Sequence, residues 1–283
     1  MRLWTLPVLL LVLLAWAGGC QTANSRPTLP VTKSSSSSTD QAPANSIPVI
    51  HVFVALCDNE HQGIVPVSAI LGNGDNPATN LYWGAAFGVK TFFAKSKDWE
   101  LVADLPNLSY VILDRSVFKH RTQNLFLIAD AYRGREIAQA TWDFLEAAAG
   151  KPGSAIEVKA RNKTITFHSG GSSELLVYVG HDGLMDFKLP TASPPQDQRQ
   201  RQAIILACAS KQYFTKALER SGARPLLWTT NLMAPEAYIL SAALDGWMKH
   251  ESDEQIRARA VGAYNKYQNC GLKSANRLFA TGW

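Results

Sequence analysis

Two reactive side chains follow two of the most apolar segments of the chain. His181 comes directly after residues 175–180, and Cys208 comes directly after residues 203–207. Such segments are typical of β-strands that are buried on both faces, and the loops beyond the carboxyl ends of neighbouring parallel strands open into one crevice. Because neighbouring strands lie about 4.8 Å apart, side chains just past the two ends can flank the same bond of a substrate.

An imidazole and a thiol in one crevice suit nucleophilic catalysis. The thiolate is the attacking form, and Cys208 stands between a predicted strand and a helix predicted to begin near Lys211. The positive end of that helix and a nearby imidazolium both lower the pKa of a thiol, so the sequence predicts an activated Cys208. His181 can then give a proton to a leaving amine, while the backbone N–H groups near Gly183 and Cys208 hold the oxyanion.

Each of these residues also has a purely structural interpretation. A buried cysteine after a strand is ordinarily a small core residue, and a histidine in a loop is ordinarily solvated, so the catalytic hypothesis depends on their joint placement. Asp182 and Asp186 are interpreted as loop residues, with Asp186 a candidate for orienting His181. Ser210 is interpreted as the N-cap of the following helix rather than as a catalytic hydroxyl.

The elements around the two loops alternate between strand-like and helical patterns. Strands are predicted at residues 47–56, 108–113, 175–179, 203–206 and 226–229. Helices are predicted at residues 75–92, within 123–149, at 211–220, and from 235 to 247. Polar and apolar residues alternate on either side of Asn162 and Lys163, which predicts a small antiparallel hairpin beside the main sheet. This order predicts one α/β domain at 47–283 whose mostly parallel sheet is flanked by helices.

The amino-terminal residues differ from the rest of the chain. Arg2 precedes an almost unbroken apolar run at residues 3–17, which is shorter than the roughly 18 to 20 residues of a spanning helix. This layout is typical of a signal peptide, predicted at 1–19. Residues 20–46 are rich in Ser, Thr, Pro and Ala, and predict a flexible tether.

Residues 17–20 read Ala-Gly-Gly-Cys and resemble the lipobox of bacterial lipoproteins. The resemblance implies that Cys20 is lipidated and anchors the domain to a membrane of the cell envelope, outside the cytoplasm. Gln21 follows Cys20 and, by resemblance to sorting in such lipoproteins, favours the outer membrane. A cleaved secretory signal with an incidental cysteine is the alternative.

Composition and charge exclude several other classes. The chain has 283 residues, four cysteines and a net charge of +5 without a long basic run, so it is neither a disulfide-dense mini-protein nor a typical nucleic-acid binder. The histidines show no ligand spacing for a metal, and Gly72 and Gly74 lack the later glycine and lysine of a phosphate-binding loop. We therefore expect no metal, no cofactor and no nucleic-acid partner. Cys57 and Cys270 either form a disulfide or remain buried, unpaired thiols.

The two apolar blocks, one ending in Gly180-His181-Asp182-Gly183 and the other in Ala207-Cys208, resemble the caspase, legumain and gingipain group of cysteine peptidases. The resemblance extends over most of residues 47–250 and implies the three-layer caspase-like fold of that group. It also implies a peptide-bond hydrolase, acting on a peptide or protein substrate, with His181 as general acid/base and Cys208 as nucleophile.

The resemblance also implies where a substrate side chain would lie. In the resembled fold the loop after the first strand lines the pocket for the side chain that precedes the cut bond, and this loop contains Asp58 and Glu60. An acidic pocket there would prefer Lys or Arg, and an exposed polar loop is the alternative. Asp182 interrupts the His-Gly pair of the group, so a catalytically inactive, peptide-binding or protein-binding lipoprotein of the same fold remains the second hypothesis.

Overall fold

The structure is a computed structural model that describes residues 47–160 and 163–283. The strands are β1 (Val49–Ala55), β2 (Trp99–Pro106), β3 (Ile112–His120), β4 (Phe126–Tyr132), β5 (Pro152–Ala160), β6 (Lys163–Gly170), β7 (Leu175–Val179), β8 (Gln202–Leu206), β9 (Arg224–Thr229) and β10 (Phe279–Ala280). The α-helices are α1 (Val89–Ala94), α2 (Ile137–Ala148), α3 (Ser210–Ser221), α4 (Ala237–Trp247), α5 (Asp253–Gln268) and α6 (Leu272–Leu278). The predictions for Cys20, the signal peptide and the tether concern residues outside the described ranges.

An eight-stranded sheet forms the centre of the domain, in the order β10-β9-β8-β7-β1-β4-β3-β2. The five strands from β9 to β4 are parallel, whereas β10, β3 and β2 run antiparallel to their neighbours. Every residue of β1, β4 and β7 is buried, which explains why these strands read as continuous apolar runs. The predicted fold class, α/β with a mostly parallel central sheet, is confirmed.

The helices cover the sheet on both faces and so complete three layers. Side chains of α2 and α3 pack with Tyr178 and Ile205 on one face. Side chains of α1, α4 and α5 pack with Val179 and Leu206 on the other. Because successive residues of a strand point to opposite faces, β7 and β8 each contribute to both cores. This double burial fixes the register of the two strands that lead into the candidate site.

The helix predicted over 75–92 is shorter in the structure, where only α1 forms and the preceding residues make turns. Asn80 explains the difference, because its side chain hydrogen-bonds the backbone N–H and carbonyl of Cys57 at 3.0 and 2.8 Å. An Asn side chain that bonds to backbone in this way competes with helix formation. Gly84 also lies so close to the Ala78 carbonyl that a larger residue would collide with it.

Other elements agree with the sequence to different degrees. The hairpin β5–β6 forms its own two-stranded antiparallel sheet, and α2 lies within the region predicted to contain a helix. β4, in the same region, was not predicted, since a short apolar run does not distinguish a strand from a buried helix. β2, an edge strand of mostly exposed residues, was also missed, and the strand predicted at 108–113 begins later, as β3. Among the described residues, none of the helices combines the length and apolarity needed to cross a bilayer.

Candidate functional site

β7 and β8 bring the two sequence-predicted catalytic positions to the same level of one sheet edge. The strands are parallel neighbours in which Val179 lies opposite Leu206. His181 and Cys208 each follow two residues later, so they leave the sheet side by side at its carboxyl edge. This edge is where the crevice of an open parallel sheet forms.

The ring of His181 is buried and bonded to a neighbouring carboxylate. Its Nε2 lies 2.6 Å from Oδ2 of Asp186, which follows a short 3₁₀-helix at Gly183–Met185. The same carboxylate oxygen accepts a hydrogen bond from the backbone N–H of Gly63 at 3.1 Å. Asp186 therefore ties the histidine loop to the loop after β1 and fixes the direction of the ring. Within the described chain, the ring makes no hydrogen bond to Cys208.

Cys208 is half-buried and bonded to the loop between β9 and α4. Its sulfur accepts a hydrogen bond from the backbone N–H of Met233 at 3.4 Å and donates one to the Met233 carbonyl at 3.6 Å. Burial raises the pKa of the thiol, the Met233 N–H lowers it, and the charge of Asp182 raises it again, so that the net pKa is raised. The expectation of a lowered pKa was wrong, because desolvation by burial makes the largest contribution and raises the pKa.

The turn that carries Cys208 is strained. Ala209 has φ 47° and ψ 31°, a left-handed conformation that a residue with a Cβ adopts at a cost of order 1–3 kcal/mol. The helix α3 starts at the next residue, so Ala209 occupies the N-cap position and the N-cap prediction for Ser210 was wrong. The hydroxyl of Ser210 instead donates to the Ile205 carbonyl and accepts from the Thr229 N–H, both at 3.0 Å. These bonds hold the strained turn in place.

The backbone N–H groups of Gly183 and Cys208, the two residues that the sequence predicts as oxyanion donors, make no hydrogen bond within the described chain. The same holds for the N–H groups of His181 and Asp182. Gly183 packs against Phe187 so closely that a Cβ would collide with the ring. Unpaired N–H groups at such an edge are what an oxyanion requires as hydrogen-bond donors.

Asp182 lies in a loop, as expected from the sequence, and its carboxyl group is buried there. Its Oδ1 accepts a hydrogen bond from the Leu184 N–H at 3.0 Å, whereas its Oδ2 is buried without a partner in the described chain. Burial raises the pKa of Asp182 to about 7, the Leu184 N–H lowers it and the charge of Asp186 adds to the rise. No pattern in the sequence marks this residue, because its unusual state arises from its neighbours in space.

Asp58 and Glu60, the two acidic residues after β1, differ in burial and in hydrogen bonding. Asp58 is buried, and its carboxylate accepts hydrogen bonds from the backbone N–H groups of Glu60 and His61 at 2.9 and 3.2 Å. The His61 ring also pairs with it at 3.0 Å. The carboxylate of Asp58 thus stabilises its own loop, while Glu60 is exposed to solvent.

The three described cysteines are free thiols, so Cys57 and Cys270 form no disulfide. Cys57 is buried, as the alternative expected, whereas Cys270 is exposed. Burial raises the pKa of Cys57 to about 11, a hydrogen bond with Tyr82 lowers it, and the charge of Asp58 raises it. The described part of the chain contains no group of three His, Cys, Asp or Glu side chains that could hold a metal ion.

Comparisons with protein-family models, with curated proteins and with solved structures find no match to this chain.

Proposed function

We propose that the protein is a cysteine peptidase that hydrolyses peptide bonds through a thioester on Cys208, with His181 as general acid/base. The observation that carries the proposal is the register of β7 and β8, which pairs Val179 with Leu206, so that His181 and Cys208 each follow two residues after the same pair at the carboxyl edge of the sheet. The strained turn at Ala209 and the unpaired N–H groups of Gly183 and Cys208 also support it. Strain of this kind clusters at functional sites.

The chemistry follows from these groups. On substrate binding the Cys208 thiol leaves the Met233 carbonyl, gives its proton to His181, and the thiolate attacks the carbonyl carbon of the peptide bond. The N–H groups of Gly183 and Cys208 donate hydrogen bonds to the developing oxyanion. The C–N bond breaks as His181 returns the proton to the leaving amine. Water then attacks the thioester carbonyl while His181 takes a proton from it, the C–S bond breaks to release the acid, and His181 returns the proton to the sulfur of Cys208.

Two carboxyl groups assist in different ways. Asp186 acts as a positioning residue, because its hydrogen bond to Nε2 fixes the ring of His181. Asp182 supports the reaction when it is neutral, since its negative charge would oppose formation of the nearby thiolate. We therefore expect labelling of Cys208 to be favoured by protonation of Asp182.

Peptides that carry a thiol-reactive group test the proposal. We expect such probes to label Cys208 faster than a non-peptide reagent of equal reactivity, and His181→Ala to slow the labelling. Cys208→Ala serves to assign the labelled site, and Cys270→Ala is the matched control because Cys270 is an exposed thiol. Labelling that survives in Cys208→Ala and disappears in Cys270→Ala would overturn the proposal.

We also propose that the domain is anchored to the outer membrane through a lipid on Cys20. The sequence Ala-Gly-Gly-Cys at 17–20 supports this proposal. Incorporation of labelled palmitate into the full chain, and its loss in Cys20→Ser, would be the expected result. A chain that appears without label in the soluble fraction would contradict it.

A second function, a peptide-binding or protein-binding lipoprotein without turnover, is favoured by one observation. The Cys208 thiol is hydrogen-bonded to the backbone of Met233, and its pKa is raised. Little of it is therefore ionised to the thiolate before a ligand binds. Peptide binding that is unchanged by Cys208→Ala, together with the absence of any cleaved product, would support this second function over the first.

A further inference from the structure

A cavity of about 440 Å³ lies at the carboxyl edge of the sheet, beyond β9. Its walls come from the loop after β9, from the end of α5 and from α6, and include Asn231, Leu232, Tyr264 and Arg277. The volume is comparable to that of pockets that hold a small ligand or one or two side chains. The mechanism proposed above does not use it.

Two residues that line the cavity are linked to the Cys208 turn, although Cys208 itself does not line it. Asn231 lines it and accepts a hydrogen bond through its carbonyl from the N–H of Ala209, the residue after Cys208, at 3.0 Å. Leu232 also lines it and precedes Met233, whose N–H lies 3.4 Å from the sulfur. Consecutive Cα atoms are about 3.8 Å apart, and Leu232 is the residue next to Met233. The wall of the cavity therefore lies within the length of one or two residues of the sulfur. An extended peptide held at Cys208 would reach it with a nearby side chain.

Arg277 gives the cavity its charge. It is the one charged side chain among the residues that line the cavity. Within the described chain, its guanidinium forms no ion pair and no hydrogen bond. By contrast, both arginines of the neighbouring helix α5 are paired, Arg257 with Glu254 and Arg259 with Glu251. A guanidinium with open donors binds a carboxylate in a bidentate geometry.

We propose that this cavity is a subsite for an acidic side chain of the substrate, located one or two residues from the bond that is cut, with Arg277 as the specificity-determining residue. The inference rests on the proposed function. It concerns a wall formed by α6 and the loop after β9, and not the loop after β1 that contains Asp58 and Glu60.

Two series of thiol-reactive peptide probes test the subsite. One series carries the variable residue before the electrophilic carbon and the other carries it after, with Asp, Asn or Lys at that position. We expect the Asp probe of at least one series to label Cys208 about tenfold faster than its Asn counterpart, since a charge-assisted bidentate contact is replaced by a weaker neutral one. Arg277→Glu should abolish this preference and favour the Lys probe, while Arg277→Lys should retain part of it.

The matched control is Lys273→Glu, which makes the same charge change on the same helix at an exposed position that does not line the cavity. It should leave the preference for Asp intact. Equal labelling by the three probes in both series, or a preference that Arg277→Glu leaves unchanged, would overturn the subsite.

A binding measurement separates this inference from the proposed function. In Cys208→Ala, the affinity for a fluorescent acidic peptide should exceed that for its amide counterpart about tenfold, and Arg277→Glu should remove the difference. If no probe labels Cys208 but this difference is found, the peptidase is overturned and the subsite stands. If probes label Cys208 without any charge preference, the subsite is overturned and the peptidase stands.

Discussion

Two histidine–aspartate pairs lie in different regions of the central sheet, and they differ in how fully their polar atoms are bonded. In one region, His51 on β1 pairs with Asp130 on β4 at 3.0 Å within the buried part of the sheet. In the other, His181 pairs with Asp186 at 2.6 Å in the loop at the carboxyl edge. The sequence places His51 inside a predicted strand and His181 just after one, but it does not show how fully either pair is bonded.

The His51 region is saturated, in the sense that both ring nitrogens of His51 and both carboxylate oxygens of Asp130 are hydrogen-bonded. Gly170 donates its N–H to Nδ1 of His51 at 3.0 Å, so both ring nitrogens are used. Arg115 bonds both oxygens of Asp130, at 2.5 and 2.7 Å. Burial by itself would raise the pKa of Asp130, but the hydrogen bonds from Arg115 and His51 outweigh it and hold the pKa below its ordinary value. All of these groups are buried, so the network links β1, β3 and β4.

The His181 region is open. One oxygen of Asp182 and the N–H groups of Gly183 and Cys208 have no partner in the described chain. Asp186 is partly exposed, with 39% of its side chain accessible. A saturated network stabilises the fold, whereas unpaired backbone N–H groups at a sheet edge are donors that a substrate oxygen can bond.

The largest effect should come from breaking the saturated network. Asp130→Ala leaves Arg115 and His51 buried without their partner, and we expect the free energy of unfolding to fall by about 3–5 kcal/mol. Urea denaturation measures this loss. The control is Glu100→Ala, since Glu100 and its partner Arg121 are 57% and 50% exposed, and we expect a change of at most about 1 kcal/mol. A loss below 1 kcal/mol for Asp130→Ala would show that the network is not a major source of stability.

The next effect concerns the open region and depends on pH. The folded-state pKa of Asp182 is raised to about 7, so the folded chain binds the proton more tightly than the unfolded chain does. Stability from this group is complete below pH 4 and is lost as the pH rises toward 7. Asp182→Asn should therefore be more stable than the parent at pH 8, by about 2–4 kcal/mol, and nearly equal to it at pH 4.

Asp197→Asn provides the control of opposite sign. Hydrogen bonds from Arg201 lower the pKa of Asp197, so its contribution to stability is present above the unfolded pKa and is lost as the pH falls. This variant should lose stability at neutral pH. Thermal unfolding from pH 4 to 8 distinguishes the two variants, and parallel pH profiles for Asp182→Asn and its parent would contradict the assignment.

Reagent access to the three thiols should follow their surroundings. With iodoacetamide at pH 8 and no peptide present, we expect Cys270 to react first, Cys208 more slowly, and Cys57 last. The pKa of about 11 leaves Cys57 with roughly a hundredfold less thiolate than an ordinary thiol, before burial limits access further. Peptide mass spectrometry over time gives the three rates. If Cys208 reacts before Cys270, its resting thiol is more ionised than its burial implies.

The smallest effect on stability should come from the partly exposed pair formed by His181 and Asp186. We expect Asp186→Asn to change the free energy of unfolding by less than about 1 kcal/mol, because solvent screens the pair and the amide retains an acceptor for the Gly63 N–H. The same variant should slow labelling of Cys208 by peptide probes, since His181 loses its fixed direction. Chemical denaturation and labelling kinetics on one preparation test both halves, and an unchanged labelling rate would remove Asp186 as a positioning residue.

Part of the candidate site could be predicted from the sequence. The apolar runs before His181 and Cys208 predicted two buried parallel strands, and the short loops after them predicted side chains at one edge. Ala209, Met233 and Arg277 could not be found in this way. Their roles depend on a backbone conformation, a contact over 25 residues and a cavity wall, none of which leaves a local pattern.

The sequence by itself determined the fold class and the positions of β1, β7, β8 and β9, because the pattern of apolar residues records which faces are buried. Only the tertiary structure decided the state of each titratable group. Asp182 and Asp130 are both fully buried, yet one has a raised and the other a lowered pKa. The reason is that the free energy of a buried charge depends on the partners brought to it by distant segments, and Arg115 reaches Asp130 whereas no cation reaches Asp182 in the described chain.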